Sequence, residues 1–496
     1  MKKNIKNFGI KSKYIVQKVL EHLDEKRLLQ ITKETNYLQN LMGKTINDYK
    51  NNYKKFSSIE IEIKPSETYG KFINLDNKDE GEEEREKNYR IYFNDSKVET
   101  KNKYYLDKSD KVTKIRILVG YKEKSFAHLF MKCDCIESIN FKKFYRNNIK
   151  SMSDMFYECT SMKEINLKNF ITDNVTDMSY MFYNCSSLKE LDLTNFNTSN
   201  VKELNGLFHG CTLLEKVDIS TFDTRNVTDM GKMFEKCPSL KELNLSNLNT
   251  KNVDNMNKMF CMCTSLKEID VSNFKVDNVD KMCYMFCGCS SLKSIDLSTW
   301  NTESVKDMSY MFSECSSLEE INLSSFDSSY VNSMEGLFSG CTSLKEIDLS
   351  NFNTHNVDKI NEMFSKCISL KQINLSNFVT IDVFNMSDMF SGCSSLKKLC
   401  LSNFNTNGVN EMSQMFSGCT ALEELDIYNF NFSNVRNKQN IFYGCKSLKK
   451  INLSHEQIHY LDNEIDKDYL KELKFTSEQN QEIDEFERFQ AGFDAF

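Results

Sequence analysis

Phenylalanine recurs along this chain at Phe130, Phe156, Phe182, Phe208, Phe234, Phe260, Phe286, Phe312, Phe338, Phe364, Phe390, Phe416 and Phe442, always 26 residues apart. A cysteine follows each one three residues later, from Cys133 to Cys445, without a miss. A period held this long without an insertion means one structural rung stacked on itself. A prior of about 150 residues per domain would divide 496 residues into three, and the repeat overrides it.

The stretch from Cys289 to Phe312 shows what one rung asks of the chain. Leu292, Ile295 and Leu297 follow the pattern L-x-x-I-x-L. Ile295 and Leu297 alternate with Ser294, Asp296 and Ser298, which is the period of a strand with one face turned inward. Trp300 takes the next inward position, where most rungs carry Phe. Val305, Met308, Met311 and Phe312 then fall at spacings of 3, 3 and 1, which predicts a short helix. Asn, Ser and Thr ahead of it are candidate helix caps. Gly210, Gly288, Gly340, Gly392, Gly418 and Gly444 stand just before the repeated Cys, where a left-handed residue would stop that helix. The expected fold class is therefore an α/β repeat solenoid of about 13 strand–turn–short-helix rungs. Thirteen strands at a spacing of about 4.8 Å would make one sheet on the order of 60 Å long. Methionines such as Met178, Met181, Met230 and Met233 are expected as core filler.

Thirteen of the 18 cysteines form the periodic row. Cys135, Cys261, Cys283, Cys287 and Cys400 lie outside it. Cys133-x-Cys135, Cys261-x-Cys263 and Cys287-x-Cys289 come closest to metal-binding spacing, yet they fall at the corner where other rungs hold one Cys. The row is read as small buried thiols, and no metal or other cofactor is expected. Unpaired thiols favour a reducing compartment.

Cys185-Ser-Ser-Leu188-Lys-Glu-Leu191-Asp-Leu193, followed by Phe196, Thr198, Val201 and Phe208, resembles the 26-residue BspA-type leucine-rich repeat. The resemblance runs over about residues 113–454. It implies a leucine-rich-repeat horseshoe with its strands on the concave side. It also implies a function in binding other macromolecules, often at a bacterial or protist cell surface.

Residues 14–42 predict two amphipathic helices, with Ile15, Val16, Val19, Leu20 and Leu23 sharing a face. Their spacing resembles an F-box. That resemblance implies docking of these five residues on a ubiquitin-ligase adaptor, with the repeats holding a substrate. The expected organisation is a small helical hairpin at 1–50, an N-terminal β-rich cap at 51–128, thirteen repeats at 129–454, and a C-terminal cap with an acidic tail at 455–496. Alternation at 57–63, 90–93 and 113–119 supplies strands for the first cap, which would cover an otherwise open sheet edge.

Charge is uneven. Residues 1–50 hold 11 Lys/Arg against 5 Asp/Glu, and residues 455–496 hold 4 against 12. No segment is strongly basic over a large face, which argues against nucleic acid. No apolar run approaches the ~20 residues of a membrane span, and no secretion signal is legible. A cytoplasmic location is expected, with a surface or non-classically secreted adhesin as the alternative. Phosphate-binding glycine loops and nucleophile elbows are not found, so no catalysis is expected. The candidate site is instead the exposed side of the strands. Glu164, Glu190, Asp192, Asp218, Glu242, Glu268, Asp270, Asp296, Glu320, Glu346, Asp348, Glu424 and Asp426 would line the concave face there. Between Glu242 and Asp348 this face carries seven acids and no base, which predicts a basic protein partner.

Overall fold

In residues 59–65 every second side chain is apolar: Ile59, Ile61 and Ile63 are fully buried, while Glu60, Glu62 and Lys64 face outward. This alternation builds strand β1 (Ile59–Pro65). The computed structural model describes residues 58–75, 86–453, 457, 460, 461 and 474–475. Strand β1 pairs antiparallel with β5 (Ile115–Val119), which pairs antiparallel with β3 (Tyr89–Phe93). On its other side β1 pairs antiparallel with β6 (Ile136–Lys143). Strand β6 then pairs in parallel with β7 (Glu164–Asn166), the strand of the next rung. One strand thus converts an antiparallel sheet into a parallel stack and leaves no open edge at the first rung. A short ribbon of β2 (Gly70–Lys71) and β4 (Tyr105–Leu106) completes this end. The helical hairpin expected at residues 1–50 lies outside the described residues.

The repeats form a β-solenoid, with two corrections to the expectation. The strands do not make one long sheet. Strand β8 (Glu190–Asp192) pairs with β9 (Lys216–Asp218), β10 (Ser294–Asp296) with β11 (Glu320–Asn322), and β12 (Glu346–Asp348) with β13 (Gln372–Asn374). A last run joins β14 (Lys398–Cys400), β15 (Glu424–Asp426), β16 (Lys450–Asn452) and β17 (Lys474–Phe475). Residues 242–244 and 268–270 occupy the strand position without pairing as strands.

The second correction concerns the short helix, which is absent from the described rungs. Its place is taken by a ribbon of turns that bonds in two directions. In the rung ending at Cys159, the N–H groups of Met155, Tyr157 and Cys159 donate to Met152, Asp154 and Phe156 carbonyls three residues back. The alternate N–H groups of Met152, Asp154, Phe156 and Glu158 donate instead to Asp177, Ser179, Met181 and Tyr183 of the next rung, at 2.7–3.0 Å. An α-helix would keep every one of these donors within the rung. The geometry is set by two left-handed residues per rung. The residue two before each repeated Phe, from His128 to Asn440, has φ of 53–59°, and the residue two after, from Lys132 to Gly444, has φ of 52–80°. A helix needs about −63° throughout. The glycines before the repeated Cys do occupy left-handed backbone, but they end a turn and not a helix.

Stacking the ribbon gives continuous rows. Twelve parallel bridges run unbroken from Ser125 to Asn437. The repeated Phe rings stack from Phe130 to Phe442 with centroids 5.3–6.0 Å apart. Met178, Met181, Met230 and Met233 are fully buried beside them, as core filler should be. The polar residues expected as helix caps serve the stack instead. The Thr198 hydroxyl donates to the Asp223 carbonyl at 3.0 Å and accepts the Asp223 N–H at 2.7 Å. Thr224, Thr250, Thr302 and Thr354 repeat the donated bond one rung on. The Asn200, Asn226, Asn252 and Asn278 amides reach back to carbonyls of the preceding rung, each at 2.7 Å. The threonine bonds satisfy polar groups that the stack would otherwise bury unpaired, and the asparagine bonds tie the rungs at the exposed rim.

At the far end the pattern is closed by a residue outside the repeat. Gln457 Nε2 donates to the carbonyls of Tyr428 at 2.8 Å and Phe430 at 2.5 Å. Asn403 does the same job two rungs earlier, donating to Ser376 and Phe378. Among the described residues no helix is long and apolar enough to cross a membrane.

Candidate functional site

Two long faces carry the side chains that could meet a partner: the strand face and the turn face. On the strand face each inward apolar residue, such as Leu191, Ile295 or Ile347, is flanked by two outward ones. The thirteen expected site residues all lie on this face. Ten of them are exposed, and Asp218, Glu424 and Asp426 are half-buried. Glu242 and Glu268 are exposed but sit where the strand pairing is interrupted.

The acids divide by job. Those at the end of each strand fold back on the chain. Asp192 Oδ1 accepts the Thr194 N–H at 3.0 Å and its hydroxyl at 2.7 Å. Asp218, Asp270, Asp296, Asp348 and Asp426 accept the N–H two residues on at 2.9–3.1 Å. Asn166, Asn244, Asn322 and Asn374 hold the same turn in other rungs. Hydrogen bonds from Thr194, Ser220, Ser272 and Ser298 hold the Asp192, Asp218, Asp270 and Asp296 carboxyls below the usual carboxylate range. These aspartates therefore shape the strand end, a role the sequence reading missed. Its signal was present as Asp or Asn two residues before Ser or Thr.

The glutamates at the strand start have no such duty. Glu424 pairs with Lys398 at 3.0 Å. Among the described residues, none of Glu242, Glu268, Asp270, Asp296, Glu320, Glu346 and Asp348 is in an ion pair. In the adjacent column Lys241 is tied to Glu215 at 3.0 Å and Lys345 to Glu319 at 3.3 Å, while Lys267 and Lys293 flank the acids without an ion pair among the described residues. Where the stack meets the N-terminal sheet, Glu62, Lys64, Lys114, Asn140, Glu164 and Asn166 line a groove of about 570 Å³. Its charges are largely matched: Glu62 pairs with Lys114 at 3.0 Å and with Lys142 at 3.2 Å.

The turn face is less uniform. The residue after each repeated Phe forms a column that runs Tyr157, Tyr183, His209, Glu235, Cys261, Cys287, Ser313. The Tyr157 and Tyr183 rings stack at 4.4 Å, and Tyr183 stacks on His209 at 4.3 Å. His209 Nδ1 lies 3.0 Å from Glu235 Oε2, and both residues are buried. Burial pushes the Glu235 carboxyl up, but the His209 hydrogen bond and charge outweigh it and leave it low.

The repeated thiols are inward and bonded. From Cys159 to Cys445 each Sγ donates to the carbonyl of the Phe 29 residues earlier, as Cys159 does to Phe130 at 3.0 Å and Cys237 to Phe208 at 3.1 Å. Burial raises these thiols, to about 12 at Cys211, Cys263 and Cys367, so they are poor nucleophiles. Among the described residues no group of three or more His, Cys, Asp or Glu side chains is placed to hold a metal ion. The adaptor-docking residues Ile15, Val16, Val19, Leu20 and Leu23 lie outside the described residues.

Against known proteins, a family model described as "Mycoplasma protein of unknown function, DUF285" matches residues 124–243, 209–320, 288–380 and 369–486. No curated protein matches. Among solved structures, a leucine-rich repeat protein from Bacteroides ovatus is 17% identical, with 79% of this chain and 98% of that one covered and a TM-score of 0.44. One from Eubacterium ventriosum is 16% identical over 60% of this chain and 84% of that one, with a TM-score of 0.33. The Toll–Spatzle complex of Drosophila gives 13% identity over 68% and 47%, with a TM-score of 0.23. TM-scores of this size leave the fold assignment to the chain's own geometry.

Proposed function

The chain belongs to the DUF285 family of Mycoplasma proteins of unknown function, and we propose that it is a non-enzymatic, leucine-rich-repeat scaffold that binds a basic protein along its strand face. One observation carries the reading. Seven carboxylates between Glu242 and Asp348 are exposed on one face, rung after rung, with no ion-pair partner among the described residues. A row of this kind attracts a row of Lys and Arg, speeds encounter and fixes register. Glu242, Glu268, Glu320 and Glu346 are the contact residues of first choice, because the aspartates are also occupied in holding turns.

The test reverses charge without touching the core. Partners are recovered from native lysate with the intact chain and with the Glu242→Lys/Glu268→Lys/Glu320→Lys/Glu346→Lys variant, at low and at raised salt. Basic partners lost both on charge reversal and at raised salt support the reading. The same partner set on both proteins sinks it.

A second reading is attachment at a cell surface, which the resemblance of the repeats to the BspA type implies. Protease treatment of intact cells tests it: a surface protein is cleaved while a cytoplasmic marker survives. Adaptor docking through residues 15–23 draws no support from the family match, which begins at residue 124. A Val19→Asp/Leu20→Asp variant that still unfolds like the parent and still recovers the same partners would retire it.

A further inference from the structure

Outside the repeated row, two thiols stand next to each other along the stack. Cys261 and Cys287 hold the same place in adjacent rungs, each directly after its repeated Phe. Backbone bonds pin the register on both sides of Cys261: Phe260 N–H donates to the Met285 carbonyl at 2.9 Å, and Met262 N–H donates to that of Cys287 at 2.7 Å. Side chains of this column touch from rung to rung, as the Tyr183–His209 stack and the His209–Glu235 bond show. Cys261 and Cys287 are therefore consecutive members of the column, with no residue between them along the stack. Equivalent residues of neighbouring rungs lie about 4.8 Å apart, inside the Cα separation of about 4.4–6.8 Å that a disulfide spans.

The remaining thiols are engaged otherwise. The repeated row is buried, and from Cys159 onward it is bonded to Phe carbonyls. Cys135 donates to the Lys71 carbonyl at 3.0 Å, and Cys283 to Asn257 Oδ1 at 3.1 Å. Cys287 is partly exposed and Cys261 is buried, so Cys287 is the more accessible of the pair.

We propose that Cys261 and Cys287 are a dithiol modification site, which closes into an inter-rung disulfide by exchange with a low-molecular-weight disulfide. The Cys287 thiolate attacks one sulfur of the small disulfide and releases one small thiolate. Cys261 then attacks the Cys287 sulfur of the mixed disulfide and releases the second. The two protons of the protein thiols leave with the two small thiols, and the small disulfide is the species reduced. Cys287 suits the attacking role. The neighbouring Cys261 thiol, and after it Ser313 of the next rung, hold its thiol below the ordinary value against the effect of burial. Cys261 is pushed up in return, first by Cys287 and then by burial. Lys258, which lies over the Tyr284 ring, favours the Cys287 thiolate, and Glu314 opposes it.

The folded chain is exposed to oxidised glutathione, quenched with an alkylating agent under denaturing conditions, digested and mapped by mass spectrometry. A Cys261–Cys287 linkage is expected, forming at least about tenfold faster than modification of any repeated Cys. Cys283→Ser should keep it. Cys287→Ser should abolish it, and Cys261→Ser should leave glutathione held on Cys287. The oxidised chain should unfold at a higher temperature than the reduced one, with strand-face binding unchanged. Glutathione taken up by Cys261 as fast in Cys287→Ser as by Cys287 in Cys261→Ser, repeated cysteines modified at a similar rate, or no linkage in the native chain would each overturn the proposal. The exchange on the native chain needs no variant, so a misfolded mutant cannot mask the answer.

Discussion

The two long faces of the stack hold it together unequally. The strand face carries the β-forming sequence, yet its ladder is broken after β7, β9, β11 and β13, most widely across 242–244 and 268–270. The turn face carries no regular strand, yet its bridges run unbroken from Ser125 to Asn437. The difference lies in where the donors go. On the turn face every second N–H is committed to the neighbouring rung, and the rings and hydroxyls beneath follow the same axis. On the strand face three residues pair and the chain then turns away. Cohesion between rungs thus comes mainly from the irregular-looking half, and the regular half is left free to vary its charges.

The sharpest way to break this comparison is to remove one member of each half. Phe260→Ala should lower stability by about 3–5 kcal/mol, since Phe260 is fully buried and stacked on both sides. Ile269→Ala, at a half-buried strand position without pairing, should lower it by about 1–2 kcal/mol. Equilibrium urea unfolding measures both, and equal losses would abolish the distinction.

Next in size is the hydroxyl row. Thr302 donates to the Asp327 carbonyl at 2.7 Å and accepts the Asp327 N–H at 2.9 Å. Thr302→Val strands both groups and should cost about 1–3 kcal/mol. Thr302→Ser should stay near the parent, because Ser328 already makes the donated bond in the next rung. The same unfolding curves report it.

A backbone probe comes third. Gly336 has φ of 57°, and a Cβ there would collide with the Tyr310 ring. Gly336→Ala should cost roughly 1–2 kcal/mol from left-handed backbone alone. A Tyr310→Ala background should remove only the part due to the ring, read as the coupling in a double-mutant cycle.

The smallest effect is confined to acid. Asp192, Asp218, Asp270 and Asp296 are held below their ordinary values in the fold. Their stabilisation is therefore fully present above the unfolded value of about 3.9 and lost as pH falls through the lower folded values. Converting all four to Asn keeps the turn and removes the titration. The thermal midpoint of that variant should fall less steeply than the parent's between about pH 5 and pH 2. Parallel curves would show that these aspartates do not titrate with folding.

Much of this was legible in the sequence, and the limits are physical. Phe130 to Phe442 and Cys133 to Cys445 announced the rung, and the inward positions followed from apolar spacing. The turn ribbon was hidden because its apolar spacing of 3, 3 and 1 is also that of a helix. Its left-handed residues carry no common mark, being His128, Asp154, Tyr180, Lys232 and Glu362 as readily as Gly206. Bonds between rungs outweigh the helix, and a single rung read alone cannot display them. The acids of the strand face were found, but half of them proved to be turn formers, since only the fold shows which oxygen is already taken. Cys287 and Cys261 looked like strays until stacking put them side by side.

The alternating commitment of the N–H groups has a consequence for heredity. Every bond across the stack joins residues about one period apart, so adding or deleting one whole unit of coding sequence leaves each surviving carbonyl with its partner. A slip of one residue would instead turn inward side chains outward. Reach and chemistry are thereby uncoupled: copying a rung lengthens the molecule, while point changes at Glu242 or Glu320 retune what it meets.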